Sequence, residues 1–200
     1  MTSSETDDAQ TQEHVFAFLT DRKRHPFVHR IDTHAASVFL EGTRALKIKR
    51  AVRFPFLDYS SLAKRKAACE EELRINRPFA PTIYHRVVPV TRAENGSLSL
   101  DGDGTPVEYA IEMTRFDERQ TIDHLAEAGP LDGGLVDAIA EAVAASHAVA
   151  PRADGRAWTS SIPHLIDGNS SALHALGSFA PAAIDDLDGA SQAAFAFRSS

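Results

Sequence analysis

The sequence predicts an α+β protein, with strands and one capped helix in its first half and helices in its second. Three observations predict this. Residues 35–40 and 45–49 are two short apolar-rich runs around Glu41-Gly42-Thr43-Arg44, the pattern of a β-hairpin. Residues 62–77 are a charged, alanine-containing run set between Ser60-Ser61 and Pro78, the pattern of a capped and terminated helix. Beyond Phe116 the chain turns alanine-rich, with apolar residues at helical spacing. Mixed elements first and helices later suggest two lobes that meet near residues 115–117.

Taken in order, residues 1–12 are polar and acidic and read as a disordered tail. A short helix is expected over 13–20, with Val15, Phe16 and Leu19 on one face, and Pro26 stops further helix. In the second strand of the hairpin, Leu46 and Ile48 point one way, and Ala45, Lys47 and Lys49 point the other. A connecting segment interrupted by Pro55 leads to the helix, which Ser60 or Ser61 caps. On that helix Leu62, Cys69, Leu73 and Asn76 share a stripe, with Glu72 on or beside it. Two strands over 83–90 and 107–116 follow, joined by a loop holding Asn95-Gly96 and Asp101-Gly102-Asp103-Gly104. Helices are expected over 121–128 and 135–149, the second with Leu135, Ile139, Val143 and His147 in line. The rest reads as loops and short helices around Trp158, Pro163 and Phe179.

Composition narrows the function classes. Of 200 residues, 43% are hydrophobic and 24% charged, which excludes a wholly disordered or collagen-like chain. No apolar run approaches the roughly 20 residues of a membrane-spanning helix, so no membrane partner is expected. Arg and Lys cluster between Arg22 and Arg77, yet the net charge of −7 argues against nucleic acid as a partner. One cysteine, Cys69, permits no internal disulfide and no cysteine metal cluster, and the polar start is unlike a secretory signal. The expected location is cytoplasmic.

Several motifs carry no chemistry. The nine histidines never adopt H-E-x-x-H spacing, and no G-x-S-x-G or G-x-x-x-x-G-K-[ST] occurs. His29-Arg30-Ile31-Asp32 imitates a kinase catalytic loop but carries an extra residue and precedes the strand lysine, so it reads as surface or strand edge. A calcium loop starting at Asp101 would need Gly where Pro106 stands.

Lys47 is the residue with chemical promise. A strand lysine is ordinarily solvent-facing, but one beside a hairpin and followed by an acidic helix is suited to hold phosphate oxygens. Of Glu70, Glu71 and Glu72, successive residues turn by about 100°, so one or two face the sheet, with Glu71 or Glu72 inward. Lys49 lies on the same face as Lys47; the more central Lys47 is preferred.

A family resemblance follows from several runs in order: residues 33–40 (THAASVFL), 45–50 (ALKIKR), 56–60 (FLDYS), 71–76 (EELRIN) and Ala80-Pro81. Together they resemble the kinase-like half of bacterial two-part proteins of the aminoglycoside phosphotransferase family, in which a P-loop half usually follows. The resemblance implies a protein-kinase-like fold: a five-stranded antiparallel amino-terminal lobe with one helix over 13–116, and an incomplete helical lobe over 117–200. It implies ATP and Mg²⁺ as cofactors and a small polar acceptor. By it, the turn at 33–37, including Ser37, covers the nucleotide. Lys47 meets the α- and β-phosphates and pairs with Glu71 or Glu72, and residues 113–116, including Met113 and Arg115, form the hinge beside adenine. The His-Gly-Asp-type loop and metal-binding Asp of the family do not occur after Val149, so the chain reads as truncated before the catalytic loop and inactive alone. The alternative is a non-catalytic nucleotide-binding or protein-interaction module, with self-association through exposed helices of the second lobe and Phe195 and Phe197.

Overall fold

The structure, a computed structural model, describes residues 3–199 of the 200. Its elements run in the order α1 (Ser3–Leu19), β1 (His29–Asp32), β2 (Ala36–Glu41), β3 (Arg44–Lys49), β4 (Arg53–Phe54), β5 (Leu57–Asp58), α2 (Leu62–Asn76), β6 (Tyr84–Arg92), β7 (Leu98–Leu100) and β8 (Thr105–Thr114). A short 3-10 turn, Glu118–Gln120, leads to α3 (Ile122–Ala128), α4 (Gly133–Val149), α5 (Arg156–Leu176) and α6 (Pro181–Ser199). The chain divides into two compact units, Met1–Ala142 and Val143–Ser200. The sheet gives way to helix after Thr114, close to the expected lobe boundary, while the compact units divide later.

The first unit is built on an antiparallel sheet in the order β1-β2-β3-β8-β6-β7, with β4 and β5 as a separate two-stranded hairpin. The α+β class is as the sequence predicts. The strand count is not: six strands stand in the sheet instead of five. The expected hairpin is β2–β3, closed by Glu41↔Arg44 around Gly42, whose φ of +57° suits a residue without Cβ. β1 is an edge strand, where His29-Arg30-Ile31-Asp32 was expected to lie. β7 has no counterpart in the sequence reading, because a three-residue strand at a sheet edge carries almost no alternation.

Both sheet faces are covered. On one, Val15, Phe16 and Leu19 of α1 pack on Phe39, Leu46, Ile48, Val88, Val90 and Ala110. On the other, Cys69 of α2 packs with Leu40, Ala45, Ile111 and Met113. The split of β3 into Leu46 and Ile48 against Ala45, Lys47 and Lys49 is therefore real: its two sides face different helices.

The expected tail over 1–12 is corrected by α1, which begins at Ser3; Met1 and Thr2 lie outside the described residues. The cause is a buried polar network that the helix completes. The side chains of Arg65 and Glu108 are both fully buried, and Arg65 Nε donates to Glu108 Oε2 at 2.9 Å. Arg65 Nη2 reaches Asp8 Oδ1 of α1 at 2.9 Å, and Nη1 donates to the Tyr59 carbonyl at 3.1 Å. Gln12, also of α1, donates from Nε2 to Glu108 Oε2 and to the Lys49 carbonyl, each at 2.8 Å, and accepts from the Ala51 amide. Residues that look like solvated tail are thus partners of a buried ion pair.

Ser61 caps α2, its side chain accepting from the Lys64 amide, and Arg77 closes the helix ahead of Pro78. Ser60 instead donates its hydroxyl to Asp58 at 2.6 Å.

In the second unit the expected loops and short helices are replaced by two long helices, α5 and α6, that pack together. Pro163, expected among loops and short helices, sits inside α5, where it costs one backbone N–H without ending the helix. Ser170 donates to Asp188 at 2.6 Å and Gln192 donates to Asp167 at 2.9 Å, stitching the pair together. Ile184 is buried between them, while Trp158, Leu176, Leu187 and Phe197 stay exposed.

Replacing Arg65 by Met leaves Glu108 as a buried, unpaired carboxylate. The expected loss is about 3–5 kcal/mol. Amide hydrogen exchange at β3 and β8 measures it, and a loss of protection under about tenfold would show that the pair is not holding the sheet.

Candidate functional site

The site lies on the sheet face covered by α2. Lys47 and Lys49 emerge from this face of β3, and Lys47 stands between Val38 of β2 and Ile111 of β8. Across from them, Arg65, Cys69 and Glu72 fall at spacings of four and three on α2, so one helix face delivers all three to the sheet.

Glu72 is the inward acid. Its Oε1 accepts from Lys47 Nζ at 2.8 Å, and its Oε2 accepts from Lys49 Nζ. Glu71 turns outward and binds Arg74 through two bonds of 2.7 and 2.6 Å, and Glu70 pairs with Lys66 at 3.0 Å. The choice left open between Glu71 and Glu72 is settled for Glu72, and the choice between Lys47 and Lys49 dissolves, because both hold the same carboxylate. They differ in exposure: the Lys47 side chain is 28% exposed, that of Lys49 11%.

Beside this cluster lies a cavity of about 490 Å³. Its walls are apolar where Val38, Leu40, Ala45 and Met113 meet, and charged where Lys47 and Lys49 enter. Met113 and Arg115 both line it. Met113 faces Ala45 across β3–β8, and the Arg115 amide donates to the Thr43 carbonyl at 2.8 Å, fixing the strand's exit. Thr33 and Ala35 of the turn before β2, and Ala36 at its start, also line the cavity.

Ser37 does not. It alternates with Ala36 and Val38 to the opposite face of β2, is fully buried, and donates to Asp32 Oδ1 at 2.6 Å. That hydroxyl, helped by Arg30, holds the Asp32 carboxyl below its ordinary range. Ser37 is thus spent on tying β2 to edge strand β1.

Tyr84 is the cleft residue that sequence reasoning missed. It lines the cavity, and burial together with the negative charge of Glu72 pushes its phenol above the usual range. It arrives through the register Tyr84↔Met113 between β6 and β8, for which the sequence holds no signal.

Burial works against ionisation of Glu72, but the hydrogen bonds and charges of Lys47 and Lys49 outweigh it and hold the carboxyl below the usual range. Burial likewise opposes the charge on Lys49, and Glu72 overcomes it and raises the ammonium. The Cys69 thiol beneath them is pushed up to about 12, chiefly by burial, and stays protonated.

The cleft could hold an apolar group followed by anionic ones, and its inward carboxylate is not open to a metal. Its apolar walls suit a flat or aliphatic group, and its ammonium groups suit an anion. Both Glu72 oxygens are already taken by lysines, and among the described residues no group of three or more His, Cys, Asp or Glu is arranged to hold a metal ion. Among the described residues, too, no helix is long and apolar enough to cross a membrane.

Compared with known proteins, the chain is 33% identical over 128 residues to uncharacterized proteins of Mycobacterium bovis and of two Mycobacterium tuberculosis strains. The match covers 64% of this chain and 24% of each relative, so it spans about a quarter of their length. No family model matches, and no solved structure matches.

The depressed Glu72 carboxyl links stability to pH with a definite sign. A carboxylate lowered on folding contributes above the unfolded value of about 4.3, and that contribution is lost as pH falls through the folded value. Glu72→Gln is therefore expected to be less stable than wild type at pH 7 but to lose less on acidification to pH 3. Urea unfolding followed by far-ultraviolet circular dichroism at both pH values measures the difference; equal acid losses would mean that the two lysines do not stabilise the ionised form.

Proposed function

We propose that this chain binds a nucleoside triphosphate in the cleft under β2 and β3 and is the nucleotide-binding part of a kinase-like phosphotransferase acting on a small polar acceptor. The observation that carries the reading is the Lys47–Glu72 pair at the charged end of the apolar cavity. In protein kinases a lysine on the third strand contacts phosphates and is held by a glutamate from the following helix. Here the lysine strand β3 and the acid-bearing helix α2 stand in the same order, and α2 precedes the next strand of the sheet, β6. On this reading the base lies between Val38, Ala45 and Met113, and Lys47 exchanges its bond to Glu72 for phosphate oxygens.

What Lys47 contributes is electrostatic: a fixed cation in a partly dry slot, where charge–charge hydrogen bonds are about twice as strong as neutral ones. Phosphoryl transfer needs more, namely an acid beside the acceptor hydroxyl and metal-binding carboxylates. Since the described residues offer no such cluster, the reading assigns binding to this chain and transfer to the larger protein of which it would be part. A non-catalytic nucleotide-binding module is the second reading, favoured by the same carboxylate arithmetic at Glu72.

Titration with a fluorescent ATP analogue tests the binding. Saturable binding is expected, with Lys47→Ala weakening it at least about tenfold, the loss of one charge-assisted contact. Absence of binding to the wild-type chain, or equal binding by the variant, would overturn the proposal. In a coupled ATPase assay the chain is expected to turn over far below the roughly 1–100 per second of kinases. Turnover in that range would show that the catalytic groups are present after all.

A further inference from the structure

Glu72 has two ammonium partners where one would neutralise it, and the two are not equivalent. Lys49 is the more enclosed. Its Nζ lies 5.4 Å from the centroid of the Tyr59 ring as well as on Glu72 Oε2. Its own backbone is pinned, because its carbonyl accepts from Gln12 Nε2 at 2.8 Å and the next amide, that of Arg50, donates to the Ala35 carbonyl at 2.9 Å. Lys47 sits one pleat further along β3, in mid-strand, with its side chain more open to the cavity.

We propose that Lys49 is a positioning residue that holds Glu72, and with it the second half of α2, over the cleft in the absence of ligand, and that this frees Lys47 to leave Glu72 for a phosphate. The second clause rests on the nucleotide reading; the first does not. With both lysines and Glu72 ionised, the cluster carries a net single positive charge before any ligand arrives. When Lys47 turns to an anion, Glu72 keeps a partner, so no buried carboxylate is orphaned and the helix has no cause to swing away. With Lys47 alone, ligand and Glu72 would compete for one ammonium. The arrangement therefore separates two tasks that a single lysine would have to share.

Amide hydrogen exchange of the ligand-free chain tests the division of labour. In Lys49→Met, the amides of residues 70–76 are expected to exchange at least about tenfold faster, while those of Val88 and Val90 on the other core keep their protection and report an intact sheet. Lys47→Met is expected to leave the α2 amides within about threefold of wild type, and Lys49→Arg to restore them. Glu72→Gln, which takes the carboxylate from both lysines, should be at least as fast as Lys49→Met, and the double variant should be no worse than Glu72→Gln, since it deletes no further contact between Lys49 and Glu72. Unchanged α2 protection in Lys49→Met, equal loss in Lys47→Met, or additive loss in the double variant would each overturn the positioning role.

Nucleotide titration of the same variants separates the two clauses. Lys47→Met is expected to lose binding of the fluorescent ATP analogue. Lys49→Met is expected to retain weakened binding, because Lys47 is still present but Glu72 now competes with the phosphate for it. If the exchange results hold and the wild-type chain binds no nucleotide, the nucleotide reading fails and the anchoring role of Lys49 stands.

Discussion

Helix α2 is held to the sheet by charge more than by an apolar seam, and the rest of the first unit depends on that constraint. Its fully buried side chains are Arg65 and Cys69, and its inward acid is Glu72. Each charge meets an opposite one: Arg65 meets Glu108 and Asp8, and Glu72 meets Lys47 and Lys49. Ion pairs of this kind do not add much net stability over an apolar core, but they are unforgiving of a missing partner. That asymmetry makes them good locators. The helix can dock in one register, the one that satisfies both ends, and that register is what brings Glu72 to the cleft.

The Arg65 network also reaches around the end of the sheet. The last described β3–β8 pair is Ile48↔Ala110, and Glu108 lies two residues beyond it on β8. There Gln12 of α1 bridges Glu108 and the Lys49 carbonyl. The two helices, on opposite faces, are thus joined through one buried polar cluster at the point where β3 leaves the sheet. The backbone of Lys49 belongs to that cluster, and its ammonium belongs to the cleft. Structural support and site are continuous through a single residue.

The second unit is of a different kind. α5 and α6 share polar cross-links, such as Ser170 to Asp188, and Leu173, Ile184 and Leu187 line a small cavity there. Much of their apolar surface, including Trp158, is exposed. A pair of helices buries too little area to form a core comparable to that of the sheet.

How far the sequence alone reached can be stated residue by residue. Alternation placed Leu46 and Ile48 opposite Ala45, Lys47 and Lys49, because a strand has a period of two and no other freedom. Ser60 or Ser61, with Pro78, bracketed α2, since caps and prolines act within a few residues. Local rules of that kind also reduced the inward acids to Glu71 or Glu72. They could not distinguish the two, nor show that both lysines share one carboxylate, because the rotation of α2 is set by Arg65 finding Glu108, 43 residues away. The same holds for α1, whose polar first half is helical because Asp8 and Gln12 complete that network, and for Ser37, turned from the cleft by its bond to Asp32. The sequence by itself determined the α+β class, the hairpin and the facing of its side chains. Only the tertiary structure decided which charges meet, because pairing between distant residues depends on register and helix rotation, which no local pattern encodes.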